Sequence, residues 1–326
     1  METIEAMEII SSGPLTTVQD LGRFGFGQYG VAPSGALDSL SMRIANILVD
    51  NPEGEACLEV TLMGLKVRAL TDLVIAVTGA DLQPLKDERP FKMWYSNSFD
   101  KGQTLSFQGP INGFRAYLSI GGGISLPPVL GSKSTNLGSG FGGLNGRSLK
   151  RGDILSSNSP HLHLRAEGKA LDRELIPTYK KNWSLRVLFG PQDDHFTETA
   201  RKTFLDSLFN VTPHSDRTGL RLAGPAIRTK TGMEESIISE GVIAGAIQVP
   251  GDGRPIIILV ETVTGGYRKI ATVISADLHL LGQVKPGDSI NFQEVSMDEA
   301  YEAFRDMEGM IKKFRERCIC SINTGQ

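Results

Sequence analysis

Three things are scarce in this sequence, and each scarcity removes a class of protein. Cysteine is the first: only Cys57, Cys318 and Cys320 occur in 326 residues. An odd count without paired spacing does not build a disulfide scaffold. The Cys318-x-Cys320 spacing admits a metal or redox role, but reduced thiols in a cytoplasmic chain are the simpler reading. A basic excess is the second: 34 Lys and Arg stand against 37 Asp and Glu, a net charge of -3. A surface that tracks phosphates draws on such an excess, so nucleic acid is not an expected partner. Long apolar runs are the third. None approaches the roughly 20 residues that cross a bilayer, so no membrane partner is expected. The opening METIEAMEIISSG lacks the basic start and apolar centre of a signal peptide.

Glycine, by contrast, is abundant at 37 residues, and many short apolar runs are bounded by Gly, Pro, Asp and Asn. Such punctuation predicts a mainly β chain. Strands are expected within 58–70, 73–79, 115–124, 185–190, 245–250 and 255–266. One unit recurs, as FDKGQTLSFQ (99–108), LKRGDILSSN (149–158) and VKPGDSINFQ (284–293). Each has a basic residue (Lys101, Arg151, Lys285) ahead of a Gly102, Gly152 or Gly287 turn, then an alternating strand. Its presence in both halves suggests two β units of related build. Helices are few. Asp38 can cap a helix from Ser39 that stops before Asn51-Pro52. A second is expected over 193–209. A third follows the Ser296/Glu299 capping box, with Ala300, Phe304, Met307, Ile311 and Phe314 on one stripe. The charged, poorly periodic stretch 165–184 reads as a linker. The resulting division is a first β-barrel unit over 1–164, this linker, a second β-barrel unit over 185–295, and a C-terminal amphipathic helix and tail over 296–326.

Residues 25–30, GFGQYG, match the spacing of a dinucleotide fingerprint. That fingerprint needs a buried strand before it and a helix starting at its glycines. Here LTTVQDLGRF precedes it, and Pro33 and Gly35 interrupt any helix after it, so the NAD reading fails. The glycines fit an irregular loop in which Gln19, Asp20, Arg23, Ser34 and Asp38 can converge. GSKST (131–135) has Ser132 where a phosphate loop needs glycine, so an ATP site here is not a P-loop. No metal is expected. His161 and His163 alternate as on one face of a strand, but no third ligand is in sight. Neither GxSxG nor HExxH occurs.

The stretch TTVQDLGRFGFGQYGVAPSGALD (16–38), followed by RIANILVDNPEGEACLEVTLMG, resembles the opening of the allophanate hydrolase subunit 2-like, or biotin-dependent carboxyltransferase-like, family. That family includes KipA and the C component of 5-oxoprolinase. The likeness continues through AVTGADL, RAYLSIGGGI, PPVLGSKST, GPQDDHF, SDRTGLRLAGP, SEGVIAGAIQVPGDGRPIIIL, TGGYRKIATVISADL and KPGD, nearly end to end. It implies two cyclophilin-like β-barrels with a few short helices. It also implies work in a hetero-complex with a KipI-like (allophanate hydrolase subunit 1-like) partner and a third 5-oxoprolinase subunit, opening 5-oxoproline to glutamate with ATP. No cofactor is expected to be bound covalently. The biotin-bearing lysine of carrier domains lies between methionines, and Lys92-Met93 is the nearest approach here. Two other roles stay open: a carboxyltransferase component acting on a urea-like amide, and a KipA-type antagonist of a kinase inhibitor. The chain departs from the family at Thr262 and Arg268, where the pattern has Gln and Pro, and at Thr218 and Leu220.

All these reactions concern a planar amide, lactam or ureido group, which needs donors aimed at the oxygen that gains charge. Gly265 and Gly266 can offer backbone N–H groups beside Thr264. Arg23 and Arg217 can hold a carboxylate. Asp20, Asp38 and Tyr267 are the candidate proton-handling residues. Gln19 and Ser34 are candidate contacts in the first loop. Gln248, a polar residue in an apolar strand, is either an anchor or a ligand contact, since buried polar groups must be paired.

Overall fold

The computed structural model describes residues 3–234 and 236–323. They form two compact units. The first runs to residue 23, resumes over 34–179 and takes in the chain from 309 on; the second holds 24–33 and 180–308.

In the first unit eleven strands form two antiparallel sheets. One has the order Ile154–Asn158, Thr3–Ser12, Leu65–Ala69, Thr104–Phe107, Pro84–Lys86, Arg89–Pro90. The other has the order Leu15–Gln19, Cys57–Thr61, Asn112–Ile120, Leu73–Asp81, Ser96–Phe99. A single core lies between them, built from Met7, Ile9, Leu58, Val60, Val67, Ile75, Leu105 and Leu118, among others. The Leu65–Ala69 strand alternates buried and exposed residues, as a strand with one wet face must. Cys57–Thr61 is buried throughout because its outer face is covered too. The cover is α1 (Ser39–Leu48), whose Met42 and Ala45 pack on Cys57 and Tyr117. Asp38 caps α1 by accepting from the Ser41 N–H, as its sequence position predicts.

The second unit is a closed seven-stranded barrel. Its order is Asn182–Phe189, Arg268–Val273, Ala246–Val249, Ile256–Ile258, Gly219–Ala223, Phe209–Val211, Ser289–Glu294. Parallel pairing of the first and last of these closes the ring, with Leu185 opposite Phe292. Phe204, Phe209 and Phe292 plug one part of it, the first and last stacked at 4.3 Å between centroids. The mainly β character, the few helices and the C-terminal helix agree with the sequence reading; closure into one ring is a property of the second unit.

Several boundaries differ from expectation. The 58–70 run breaks into two strands at a turn where Leu62 and Gly64 both take positive φ. The 255–266 run holds two short strands, Ile256–Ile258 and Thr264–Gly265. The 193–209 helix shrinks to α2 (Glu198–Asp206), because Thr197 supplies the cap and Phe209 already belongs to the barrel. The 165–184 stretch is not a free linker. Ser96 binds the carbonyls of Ala166 and Lys169, and Leu171 and Tyr179 are buried. The C-terminal helix, α3 (Met297–Asn323), opens with the expected capping box: Glu299 Oε2 accepts from the Ser296 N–H at 2.7 Å. It is not a separate domain. Ala300 packs with Ile274 and Ala276 of the second unit, while residues from 309 on belong to the first.

The recurrent turn is the same structure three times. The N–H groups of Gln103, Asp153 and Asp288 reach back three residues to the carbonyls of Asp100, Lys150 and Lys285. Each side chain at the fourth position accepts from the first residue's N–H. Gly102, Gly152 and Gly287 take φ of 91°, 86° and 88°, the conformation that excludes most other residues. In this register Lys285 matches Lys150, and Pro286 takes the place of Lys101 and Arg151. Cys57 and Cys318 are buried free thiols, and the Cys320 side chain lies outside the described residues. Among the described residues no helix is long and apolar enough to cross a membrane.

Candidate functional site

The polar residues singled out in the sequence fall into both units. Gln19 ends the Leu15–Gln19 strand, Asp20 and Arg23 follow it, and all three converge on the segment 132–135. The Asp20 carboxylate accepts from the hydroxyls of Ser132 and Ser134, at 2.6 and 2.5 Å, and from the N–H groups of Gly22 and Lys133, at 2.8 and 2.6 Å. The Gln19 amide donates to Thr17 and to the Thr135 carbonyl, and accepts from the Gly35 N–H. The Arg23 guanidinium donates to the carbonyls of Ser134 and Val129 and lies over the Phe141 ring. These groups tie the loop to its neighbour. Ser34 is buried at a φ of 55°, and its hydroxyl has no hydrogen-bond partner among the described residues.

Asp38 sits in a different network. Its carboxylate accepts from Ser41 and from the Tyr179 hydroxyl, and its N–H donates to the Tyr117 hydroxyl at 2.7 Å. Tyr117 in turn donates to Glu59 at 2.8 Å, and Arg115 lies 3.6 Å from the same carboxylate. Burial pushes the Tyr117 and Tyr179 hydroxyls well above their ordinary range, and the carboxylates of Glu59 and Asp38 add to it. Both tyrosines therefore stay protonated and donate. The sequence reading missed Glu59, although it meets the same criterion as Gln248: a polar residue at an inward position of an apolar strand.

The GFGQYG glycines lead only into a single 3-10 turn, Gly27–Tyr29. The next helix, α1, starts at Ser39 and carries a carboxylate at its N-terminus, where a pyrophosphate would need bare N–H groups. His161 and His163 are not on a strand; they fall in a 3-10 run, and His163 Nδ1 lies 3.0 Å from the Val49 carbonyl. Among the described residues no three His, Cys, Asp or Glu side chains gather as a metal site would require.

The second unit holds the more open cluster. Gln248 and Lys269 stand directly opposite each other on adjacent antiparallel strands, so their side chains share a face. Gly265 pairs with Glu240 in a two-stranded ribbon beside them. Lys269 Nζ is ion-paired with Glu240. Gln192 bridges the two, donating to Glu240 at 2.6 Å and accepting from the Lys269 N–H at 3.0 Å. Lys269, and after it Gln192, hold the Glu240 carboxyl below the usual range. Gln248 is only 4 % exposed, yet its Nε2 has no hydrogen-bond partner among the described residues. It packs so close to Gly265 that a Cβ there would lie 2.2 Å from Nε2. Gly266 accepts from the Ile237 N–H, and Tyr267 beside it is 40 % exposed. The cluster presents a buried amide donor, a cation and a carboxylate around two glycines, a set that can pair with both edges of a planar amide.

The remaining expected residues are engaged by the chain itself. Arg217 forms a buried ion pair with Glu261, Nε to Oε1 3.2 Å. Thr264 accepts, through its carbonyl, from the Thr262 hydroxyl. Arg268 donates to His195 Nδ1 at 3.0 Å and to the Glu234 carbonyl. Its buried guanidinium thereby fixes the turn that carries Gln192. Gln192, Glu240 and Lys269 were missed as site residues. Each lies in a stretch already notable for family likeness, but only the strand pairing brings them together.

The profile described as carboxyltransferase domain, subdomain A and B, matches residues 29–294. The C component of 5-oxoprolinase from Escherichia coli is 38% identical over 306 residues, covering 93% of this chain and 95% of its own length. The same component from Haemophilus influenzae is 34% identical, covering 95% and 97%. Among solved structures, the urea amidolyase of K. lactis superposes with a TM-score of 0.90 at 34% identity; the match covers 96% of this chain and 20% of that one. The chain belongs to the carboxyltransferase domain A and B family.

Proposed function

From this membership we propose that the chain is the C component of an ATP-dependent 5-oxoprolinase. It acts in a cytoplasmic complex with a KipI-like protein and a third component, and 5-oxoproline leaves as glutamate. The observation that carries this reading is the match to the Escherichia coli component along 93% of this chain and 95% of that relative.

The second-unit cluster supplies a chemistry for it. Opening a lactam puts charge on the carbonyl oxygen, which a preorganised buried donor stabilises. Gln248 Nε2 is such a donor, and it has no partner among the described residues to give up. Glu240, kept ionised by Lys269 and Gln192, accepts from the lactam N–H. Gly265 and Gly266 let the ring approach the backbone, and Tyr267 at the rim handles a proton. Arg23 and Arg217 are held by carbonyls and by Glu261, so in this reading they keep the fold and do not grip the substrate carboxylate. Asp20 and Asp38 likewise serve their own networks. ATP is used by the complex.

A carboxyltransferase reading is favoured by one observation, the TM-score of 0.90 with the urea amidolyase of K. lactis. The same cluster then receives a urea-like amide, and carboxybiotin arrives on another polypeptide.

The test is a tagged chain purified gently with its bound partners and assayed for ADP release with and without 5-oxoproline. Release that depends on 5-oxoproline, and is lost in Gln248→Ala without loss of partners, supports the proposal. Avidin-sensitive consumption of carboxybiotin with urea, and no response to 5-oxoproline, replaces it with the second reading.

A further inference from the structure

The first unit carries a concavity of about 600 Å3, lined by Lys86, Asp87, Arg89, Lys92, Asn97 and Gln103 over Pro90 and Phe91. That volume is within the range of small-molecule sites. Three cations and one carboxylate line it, a local excess of two positive charges in a chain of net charge -3. Some cations elsewhere face carboxylates, as in Arg217–Glu261 and Lys269–Glu240. Here none does among the described residues. Lys86 Nζ is steered by the Ser98 carbonyl at 3.0 Å, and Lys92 lies 3.6 Å over the Tyr95 ring centroid. One oxygen of the Asp87 carboxylate, Oδ1, accepts from the N–H and hydroxyl of Thr104.

The backbone fixes where these cations sit. Ten non-glycine residues among those described have positive φ, and four of them, Gln83, Asp87, Glu88 and Trp94, fall within 83–94. Asp87 and Glu88 form the hairpin turn that sets Lys86 opposite Arg89. Positive φ at both Asp87 and Glu88 is what a two-residue hairpin turn requires, so the turn is a fixed one. The hairpin places Lys86 and Arg89 side by side on paired strands, not on a free loop.

We propose that this cavity is an oligophosphate site, taking the phosphate chain of a nucleoside triphosphate or an inorganic polyphosphate. Three cations spaced around one concavity match several phosphate groups in series, and Arg89 offers the planar fork that binds phosphate oxygens in pairs. Asn97 and Gln103 add amide groups at the wall. The site stands on these side chains alone and is independent of the reaction proposed above.

Calorimetric titration of the full chain with ATP, tripolyphosphate, inorganic phosphate and adenosine tests it. ATP and tripolyphosphate are expected to bind, adenosine is not, and binding weakens as salt rises. Tripolyphosphate binding as well as ATP makes the phosphate chain the whole ligand; ATP binding better adds a base contact, and both support the site. Arg89→Ala with Lys92→Ala is expected to weaken binding about 100-fold, at about tenfold per charge-assisted contact. Both residues are exposed, so the fold is retained. Arg151→Ala, an exposed cation that does not line the concavity, is the control and leaves binding unchanged. The proposal is overturned if tripolyphosphate fails to bind in the millimolar range, if adenosine binds as well as ATP, or if Arg151→Ala costs as much as the hairpin variant.

Discussion

Gly265→Ala isolates the contact on which the second-unit cluster rests. The new methyl would stand 2.2 Å from Gln248 Nε2 and 3.1 Å from its Oε1. Ordinary contact is about 3.5 Å, so one of the two must move by about 1 Å. Gly265 does not need positive φ, so the backbone itself accepts alanine and the cost is steric. Forcing Gln248 off its rotamer and overpacking its surroundings costs about 1–3 kcal/mol. Gln248→Ala removes the obstacle. In that background the added methyl enters vacated space, and Gly265→Ala is expected to cost less than about 0.5 kcal/mol. The coupling energy of the pair is then about 0.5–3 kcal/mol, above the few tenths found between independent sites over most of that range. Urea midpoints of the four proteins, read at a constant m value, give it directly. Turnover by the assembled complex should fall at least about tenfold in both single variants, the equivalent of about 1.4 kcal/mol of lost transition-state binding. Equal costs of Gly265→Ala in the two backgrounds would refute the packing argument, and with it the claim that Gln248 is held ready as a donor.

Two further outcomes follow from the same residues. Arg217→Ala leaves Glu261 buried and should cost about 3–5 kcal/mol, whereas replacing both by apolar residues of similar volume should be close to neutral; equal thermal midpoints for Arg217→Ala and the parent would return Arg217 to the list of substrate contacts. Glu240 has its folded-state pKa depressed, so its bond to Lys269 is complete above the ordinary glutamate range and is lost only as pH falls through the lower, folded value. Gln192→Ala removes one cause of the depression, and the acid limb of the pH–activity profile should move to higher pH; an unmoved limb would mean that Glu240 is not the group being titrated.

Much of the fold is legible in the sequence because its signals are local. Asp38 before Ser39, Ser296 with Glu299, and the glycine of each recurrent turn all act within four residues, and all appear where the pattern places them. What escapes is set by distance along the chain. Arg217 reads as a free guanidinium until Glu261 is brought against it. Asp20 reads as a proton-handling group until residues 132–134, more than a hundred positions on, supply its donors. His161 and His163 alternate as a strand would, but Pro160 starts a 3-10 run instead. Gln248 shows both sides. Its polarity within GAIQVP marks it from the sequence, yet only the register with Lys269 and the approach of Gly265 show what it faces.

The division of α3 between the two units bears on how the chain is made. The first unit cannot finish its packing when residue 179 leaves the ribosome, because Ile311 and Phe314, both buried, are still to come. The 129 residues of 180–308 are synthesised in between. At about 5–20 residues per second, that leaves the first unit without its last helical segment for roughly 10 s. The barrel of the second unit, whose strands are contiguous in synthesis, can close within that interval. Order of emergence and order of completion are thus reversed: the half that appears first is the half that is completed last, and it carries uncovered apolar surface for as long as the other half takes to be made.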